Sequence, residues 1–234
     1  MKRLIAISIF CLIAFAAASA QDTPAAQAPA STDAGVNADK LLYTIGYLAG
    51  ENVKQQLILE RGEEDSKAIS QGMRDALLDR NSQTDLEVYK PLIVKRFQED
   101  AKKKITIRRT EEAKEMEKVK KEKGAKTRSK GIIMKTVKEG KGKSPKAASM
   151  VKVNYEGSLL DGTVFDSSYK RNMPAQFALN AVIPCWTEAL QQMKVGEKAK
   201  LFCPPDTAYG DSQAGMIPPG STLVFDVELL EVND

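Results

Sequence analysis

Apolar side chains recur every three or four positions along residues 39–107, and every second position after about residue 130. This change of period divides the chain into a helical first part and a strand-built second part. In the first part Leu41, Ile45 and Leu48, joined by Leu42, Ala49 and Val53, share one helical face. Ser66 is the expected N-cap of a short second helix carrying Ile69, Met73, Ala76 and Leu77. A third helix is expected from Thr84-Asp85, with Leu86, Tyr89, Ile93, Phe97, Ala101 and Ile105 at helical spacing. Pro91 falls early in it, where proline costs least. Beyond Ile107 the pattern dissolves into "RRTEEAKEMEKVKKEKG". A basic helix for nucleic acid or a membrane is one reading of that run. Its mixed signs favour the other, a solvated helix laced with i,i+4 Glu–Lys pairs. A helix of about forty residues spans roughly 60 Å, which reads as a stalk joining two bodies and stopping at Gly124.

In the second part Val151, Val153 and Tyr155 alternate with Lys152, Asn154 and Glu156. "LLDGTVF" sets Asp161-Gly162 between two apolar runs, a hairpin signal. Ala199, Leu201 and Cys203 alternate with Lys198, Lys200 and Phe202, and Leu223, Phe225, Val227 and Leu229 form the apolar phase of a last strand. One short helix is expected from Trp186 to about Met193. Antiparallel strands around one short helix make an α+β domain of about a hundred residues.

Residues 1–20, "MKRLIAISIFCLIAFAAASA", change the compartment. Lys2 and Arg3, an apolar run and the small-x-small end Ala18-Ser19-Ala20 read as a secretory signal peptide, too short for a spanning helix. Cys11 follows bulky Phe10 within it, which argues against lipid attachment there. Residues 21–38, rich in Ala, Pro and Ser, read as a disordered lead-in. Cleavage after Ala20 would remove two of the 35 Lys and Arg and leave the 31 Asp and Glu, so the formal charge falls from +4 to +2. So small a charge gives no case for nucleic acid. Cleavage would also leave two cysteines, Cys185 and Cys203, an even count suited to an oxidising compartment. The chain has no histidine. That excludes Ser-His and Cys-His nucleophiles and histidine metal sites; no metal or cofactor is expected.

"VKVNYEGSLLDGTVFDSS", "VIPCWTEALQQMKVGEKAKL", "PPDTAYG" and "IPPGSTLVFDVELLEV" follow one another in order. From about Gly131 to Val232 these motifs resemble the FKBP-type peptidyl-prolyl cis-trans isomerases. The helical first half with "LLYTIGYLAGENV" and the long charged helix resembles the periplasmic macrophage-infectivity-potentiator (Mip) class of that family. The resemblance implies a helical dimerisation domain over 39–84, a linker helix over 85–124 and an isomerase domain over 131–234. The fold expected of the last is an antiparallel half-barrel sheet wrapped on one short helix. It further implies a homodimer that acts on proline-containing unfolded or exported polypeptides and binds macrolide inhibitors. Periplasm or the cell surface of a Gram-negative bacterium is the implied location. A non-catalytic chaperone, holding unfolded chains in the dimer's cleft, is the competing function.

By the same resemblance the pocket is lined by Tyr155, Phe165, Val182, Ile183, Trp186, Tyr209, Ile217 and Phe225, with Asp166 and Arg171 beside it. Tyr155, Phe165, Asp166, Ile183, Trp186 and Tyr209 are the catalytic candidates; Arg171, Val182, Ile217 and Phe225 would bind substrate. Taken singly, Tyr155, Phe225 and Val182 are equally well explained as core, and Asp166 as a turn cap. Three positions depart from the family pattern. Ala175 stands where an aromatic is usual, so one wall is expected to be thin; Gln213 stands where relatives carry an aromatic or histidine; Cys185 replaces glycine before the tryptophan. In the family's arrangement Cys203 lies one strand from the short helix. Cys185 and Cys203 are then either disulfide-bonded or two buried thiols, and an oxidising location favours the bond.

Overall fold

The computed structural model describes residues 38–233. The expected signal peptide (1–20) and lead-in (21–38) lie outside the described residues, save that Ala38 opens the first helix. Chain contacts divide the protein into one unit reaching to Ala101 and a second from Lys102 onward.

The first unit contains α1 (Ala38–Gln56), α2 (Glu63–Leu77) and the start of α3 (Leu86–Lys120). Ser66 is not the N-cap of α2. The helix starts at Glu63 behind Gly62, whose φ of 55° suits glycine, and Ser66 instead donates its hydroxyl to the Gly62 carbonyl. Glu63, Glu64 and Asp65 in the first turn favour the start at that point, since carboxylates complement the exposed N–H groups. Asp85 caps α3 by accepting the Glu87 N–H at 3.0 Å. The helix passes through Pro91 without ending. Buried Asp100 accepts from Arg96 at 2.8 Å and from the Ile58 N–H at 2.9 Å, which binds the α1–α2 loop to α3. Yet Leu41, Ile45 and Leu48 are 52%, 54% and 61% exposed, and Met73, Leu77, Leu92 and Ile93 are exposed as well. Of the apolar face read from the sequence, Leu41, Leu42, Ile45 and Leu48 are exposed and only Ala49 and Val53 are half-buried.

In the second unit every strand pairing is antiparallel. β1 (Ala125–Thr127), β2 (Ile133–Lys138), β6 (Lys198–Cys203), β7 (Leu223–Asn233), β3 (Met150–Leu159) and β4 (Val164–Ser167) lie side by side in that order. β5 (Ala175–Ala178) pairs with β3 alongside β4. The sheet begins at Ala125, six residues before the expected boundary at 131, because β1 pairs with β2. Gly162, at φ 88°, turns the β3–β4 hairpin, and Asp161 accepts the Thr163 N–H. The short helix is α4, Pro184–Leu190 rather than 186–193. Pro184 occupies its first turn, where a missing N–H costs nothing. The main core lies between α4 and one sheet face, with Val151, Val153, Leu190, Leu201, Leu223 and Leu229 fully or almost fully buried.

The opposite face is also covered. Met116 on α3 packs with Ile133, Phe202 and Val224, and Val119 joins them. Phe202, expected on the polar side of its strand, is therefore buried. The charged half of α3 is correspondingly not a freely solvated stalk. Lys118–Glu115 and Lys120–Glu117 pair at i,i+3 rather than i,i+4. Arg108 donates to the Pro219 carbonyl at 2.6 Å, and Glu112 accepts the Thr222 N–H.

Candidate functional site

A cavity of about 520 Å³ opens between α4 and the sheet. β3 supplies Tyr155, β4 Phe165 and Asp166, β5 Phe177, and β7 Phe225. Ala181, Val182, Ile183 and Trp186 come from the approach to α4 and its first turn, and Ala208 and Tyr209 from the β6–β7 connection. Trp186 is 4% exposed and is the hub. Its ring centroid lies 5.2 Å from Tyr155, 5.6 Å from Phe177 and 5.2 Å from Phe225, each edge to face. Phe165 meets Phe225 in the same way at 5.7 Å. Such pairs set one ring's positive edge against another's negative face and lock the walls mutually. The Trp186 backbone N–H donates to the Ile183 carbonyl, and the Thr187 hydroxyl donates to the Leu179 carbonyl, fixing the approach segment on α4.

At the rim, Asp166 accepts from the Tyr155 hydroxyl and from Arg171, whose guanidinium also donates to the Tyr155 oxygen at 3.1 Å. Ser168 positions this group by accepting the Tyr155 N–H and donating its own N–H to the Tyr155 carbonyl, both at 2.9 Å. Burial alone would raise the Asp166 carboxyl, but the hydrogen bonds from Tyr155 and Arg171 outweigh it and hold it below the usual carboxylate range. Asp166 is therefore an anion at neutral pH, losing its proton at even lower pH than an ordinary aspartate. Burial, followed by the bond to Asp166, raises the Tyr155 phenol, which stays protonated and donating. Among the described residues nothing accepts the Ile183 N–H, and the Tyr209 hydroxyl has no partner.

Cys185 and Cys203 are joined as a disulfide, with Cα atoms 5.6 Å apart, and both are fully buried. The bond ties the helix carrying Trp186 to the end of β6, directly before the segment that bears Tyr209.

Tyr155, Phe165, Asp166, Val182, Ile183, Trp186, Tyr209 and Phe225 converge on this cavity, and Arg171 reaches it through Asp166. Ile217 does not line it. Its N–H and carbonyl bridge to Ala214 and its side chain is buried in the core, because the loop folds back on itself there. The wall expected to be thin at Ala175 is aromatic after all, since Phe177, two residues on and on the same strand face, stands against Tyr155 and Trp186. The alternation Ala175, Phe177 was a legible signal for it. Gln213 is exposed and donates to the Gly215 carbonyl.

A family model described as "FKBP-type peptidyl-prolyl cis-trans isomerase" matches residues 141–230. Another, "Domain amino terminal to FKBP-type peptidyl-prolyl isomerase", matches residues 38–135. The chain is 38% identical over 237 residues to the FKBP-type peptidyl-prolyl cis-trans isomerase FkpA of Escherichia coli K12, covering 97% of this chain and 87% of that one. It is 36% identical over 215 residues to the peptidyl-prolyl cis-trans isomerase Mip of Coxiella burnetii, covering 88% and 91%. The crystal structure of Escherichia coli FkpA superposes with a TM-score of 0.63 at 38% identity, over 84% of this chain and 97% of that one. That of a peptidyl-prolyl cis-trans isomerase from Pseudomonas syringae pv. tomato gives a TM-score of 0.50 at 34% identity, over 66% and 100%.

Proposed function

The chain belongs to the FKBP-type peptidyl-prolyl cis-trans isomerases, in the class of FkpA and Mip, and from that premise we propose that it twists the X-Pro amide in the cavity above Trp186. Rotation about that amide must break resonance, a barrier of about 18–20 kcal/mol. No covalent intermediate is needed, so the absence of histidine is no obstacle. The planar amide is strongly dipolar and the twisted one less so; a dry aromatic pocket therefore favours the twisted state relative to the planar one. The ring walls grip the proline. The Ile183 N–H and the Tyr209 hydroxyl, both without partners, are available to the substrate's carbonyls. Asp166 has both oxygens engaged, so it contributes by orienting Tyr155 and by its negative field beside the amide. The aromatic cavity with the unspent Ile183 and Tyr209 donors is the observation that carries this reading.

A protease-coupled assay on an X-Pro peptide tests it. The wild type accelerates isomerisation. Asp166→Ala loses about tenfold or more, equivalent to about 1.4 kcal/mol of barrier. Tyr209→Phe loses several-fold, the effect of one hydrogen bond of about 0.5–1.5 kcal/mol. Unchanged rates in both variants would remove the chemistry from this pocket.

The protein's setting is proposed on separate observations. The charged-then-apolar start of the chain and the buried disulfide together favour export to an oxidising compartment, the periplasm, where the isomerase would assist folding of exported proteins. The uncovered apolar residues of α1, α2 and early α3, beside a cavity of about 680 Å³ walled by Tyr47, Val53, Ile69, Met73 and Leu77, favour a homodimer in which a second copy covers them. The same dimer would hold unfolded chains. The double variant Ile45→Asp/Leu48→Asp is then expected to sediment at half the wild-type mass, to keep peptide isomerisation within about twofold, and to stop suppressing aggregation of an unfolded client. A variant that stays dimeric would contradict this assignment of the interface.

A further inference from the structure

The segment 204–222 between β6 and β7 contains no strand and carries Tyr209 to the cavity wall. Its backbone hydrogen bonds include Thr207 to Pro204 and Gly210 to Pro205, and Gly220 to Gly210 closes the loop. What fixes its outer side is α3. Arg109 donates from Nη2 to Asp206 at 2.8 Å, from Nη1 to the same carboxylate at 3.2 Å, and from Nε to Asp211 at 2.8 Å. Asp206 lies three residues before Tyr209 and Asp211 two residues after it. One planar guanidinium thus clasps both flanks of the residue that holds the free hydroxyl. The hydrogen bonds from Arg109 hold Asp206 below the usual carboxylate range, so the clasp persists at neutral pH.

We propose that Arg109 is a positioning residue for catalysis: it locks the Asp206–Asp211 bracket to α3 and so holds the Tyr209 hydroxyl in register with the proline pocket. The inference rests on the reading of that pocket as the isomerase site. Exposed ion pairs add little to stability, and Asp206 and Asp211 are both exposed. Geometry is where this pair acts. A bidentate fork fixes direction as well as distance, and displacement of a catalytic group by about 1 Å can cost up to about a hundredfold. Lysine keeps the charge but offers a single compact ammonium, so it can hold one carboxylate well and not both. The charged stretch of α3, which as sequence reads only as a solvated helix, is by this account part of the catalytic scaffold.

A double-mutant cycle in the full-length protein tests it, with kcat/KM on an X-Pro peptide and thermal unfolding measured for each variant. Arg109→Ala is expected to lower kcat/KM by about three- to tenfold, and Arg109→Lys to restore part of it. In a Tyr209→Phe background Arg109→Ala should cost less than about 1.5-fold, because the hydroxyl it positions is gone. A merely structural arginine would instead cost the same factor in both backgrounds, and that result, or no loss in the wild-type background, overturns the proposal. Tyr209→Phe with unchanged kcat/KM would overturn the role of that hydroxyl and of Arg109 with it, whereas unchanged kcat/KM in both Tyr209→Phe and Asp166→Ala would overturn the pocket reading itself, so the two failures are distinguishable.

Discussion

Removing the Cys185–Cys203 bond is expected to lower the stability of the sheet-containing unit by about 3 kcal/mol. The bond closes a loop of 18 residues in sequence separation, and a loop of that size restricts the unfolded chain by about that amount. For a domain of about a hundred residues this corresponds to a fall in Tm of roughly 10–20 °C. Trp186 is the only tryptophan in the chain, so its fluorescence during denaturant unfolding reports on this unit alone. The Cys185→Ala/Cys203→Ala variant, or wild type unfolded in reductant, should show a lower midpoint than the oxidised protein. Alanine is the better replacement because both positions are fully buried and a serine hydroxyl there would need a partner. Burial of both sulfurs also means that reductant reaches them only through opening of the fold, so native protein should resist reduction for much longer than denaturant-treated protein. Identical midpoints with and without reductant, or two thiols titrating freely in the native state, would contradict the assignment.

Gly157→Ala is expected to cost about ten- to a hundredfold in kcat/KM while leaving the protein folded. A Cβ at position 157 would lie 2.6 Å from Cε2 and 2.7 Å from Cζ of Phe165, and 2.9 Å from Cε1 of Phe225. Gly157 is paired on both sides, with Phe225 across β7 and Asp166 across β4, so the backbone cannot simply move away. The rings must move instead, and both are walls of the pocket. Phe225 stands edge to face with Trp186, so the displacement reaches the floor. Overpacking of this kind costs about 1–3 kcal/mol of stability, whereas the catalytic loss follows from misplaced walls around the proline. Far-UV circular dichroism and the peptide assay separate the two effects. A folded Gly157→Ala protein with wild-type turnover would show that Phe165 is not needed where it stands.

Much of the strand structure was legible because alternation is a local property. Val151, Val153 and Tyr155 repeat at the period a half-buried strand demands, and the structure buries all three. Asp161-Gly162 supplied the turn through glycine's access to positive φ. The cavity residues were legible through motif order, with Trp186, Tyr155, Phe165 and Tyr209 all reaching one cavity. Ile217 lies in the core cluster rather than in the cavity lining, because spacing along a loop does not say which way the loop folds. Phe202 was misassigned: its phase in β6 is polar, and only the docking of Met116 from α3 makes that second face apolar.

By itself the sequence determined the period of each segment, the family of the fold, and the aromatic set that surrounds Trp186, since these depend on residue types a few positions apart. The tertiary structure alone decided that Cys185 reaches Cys203, that Gly157 must be glycine, and that Arg109 clasps Asp206 and Asp211 around Tyr209. Those are contacts between segments up to about a hundred residues apart along the chain. Their distances are set by how the sheet and helices pack against one another, and no local pattern of hydrophobic and polar positions carries that information.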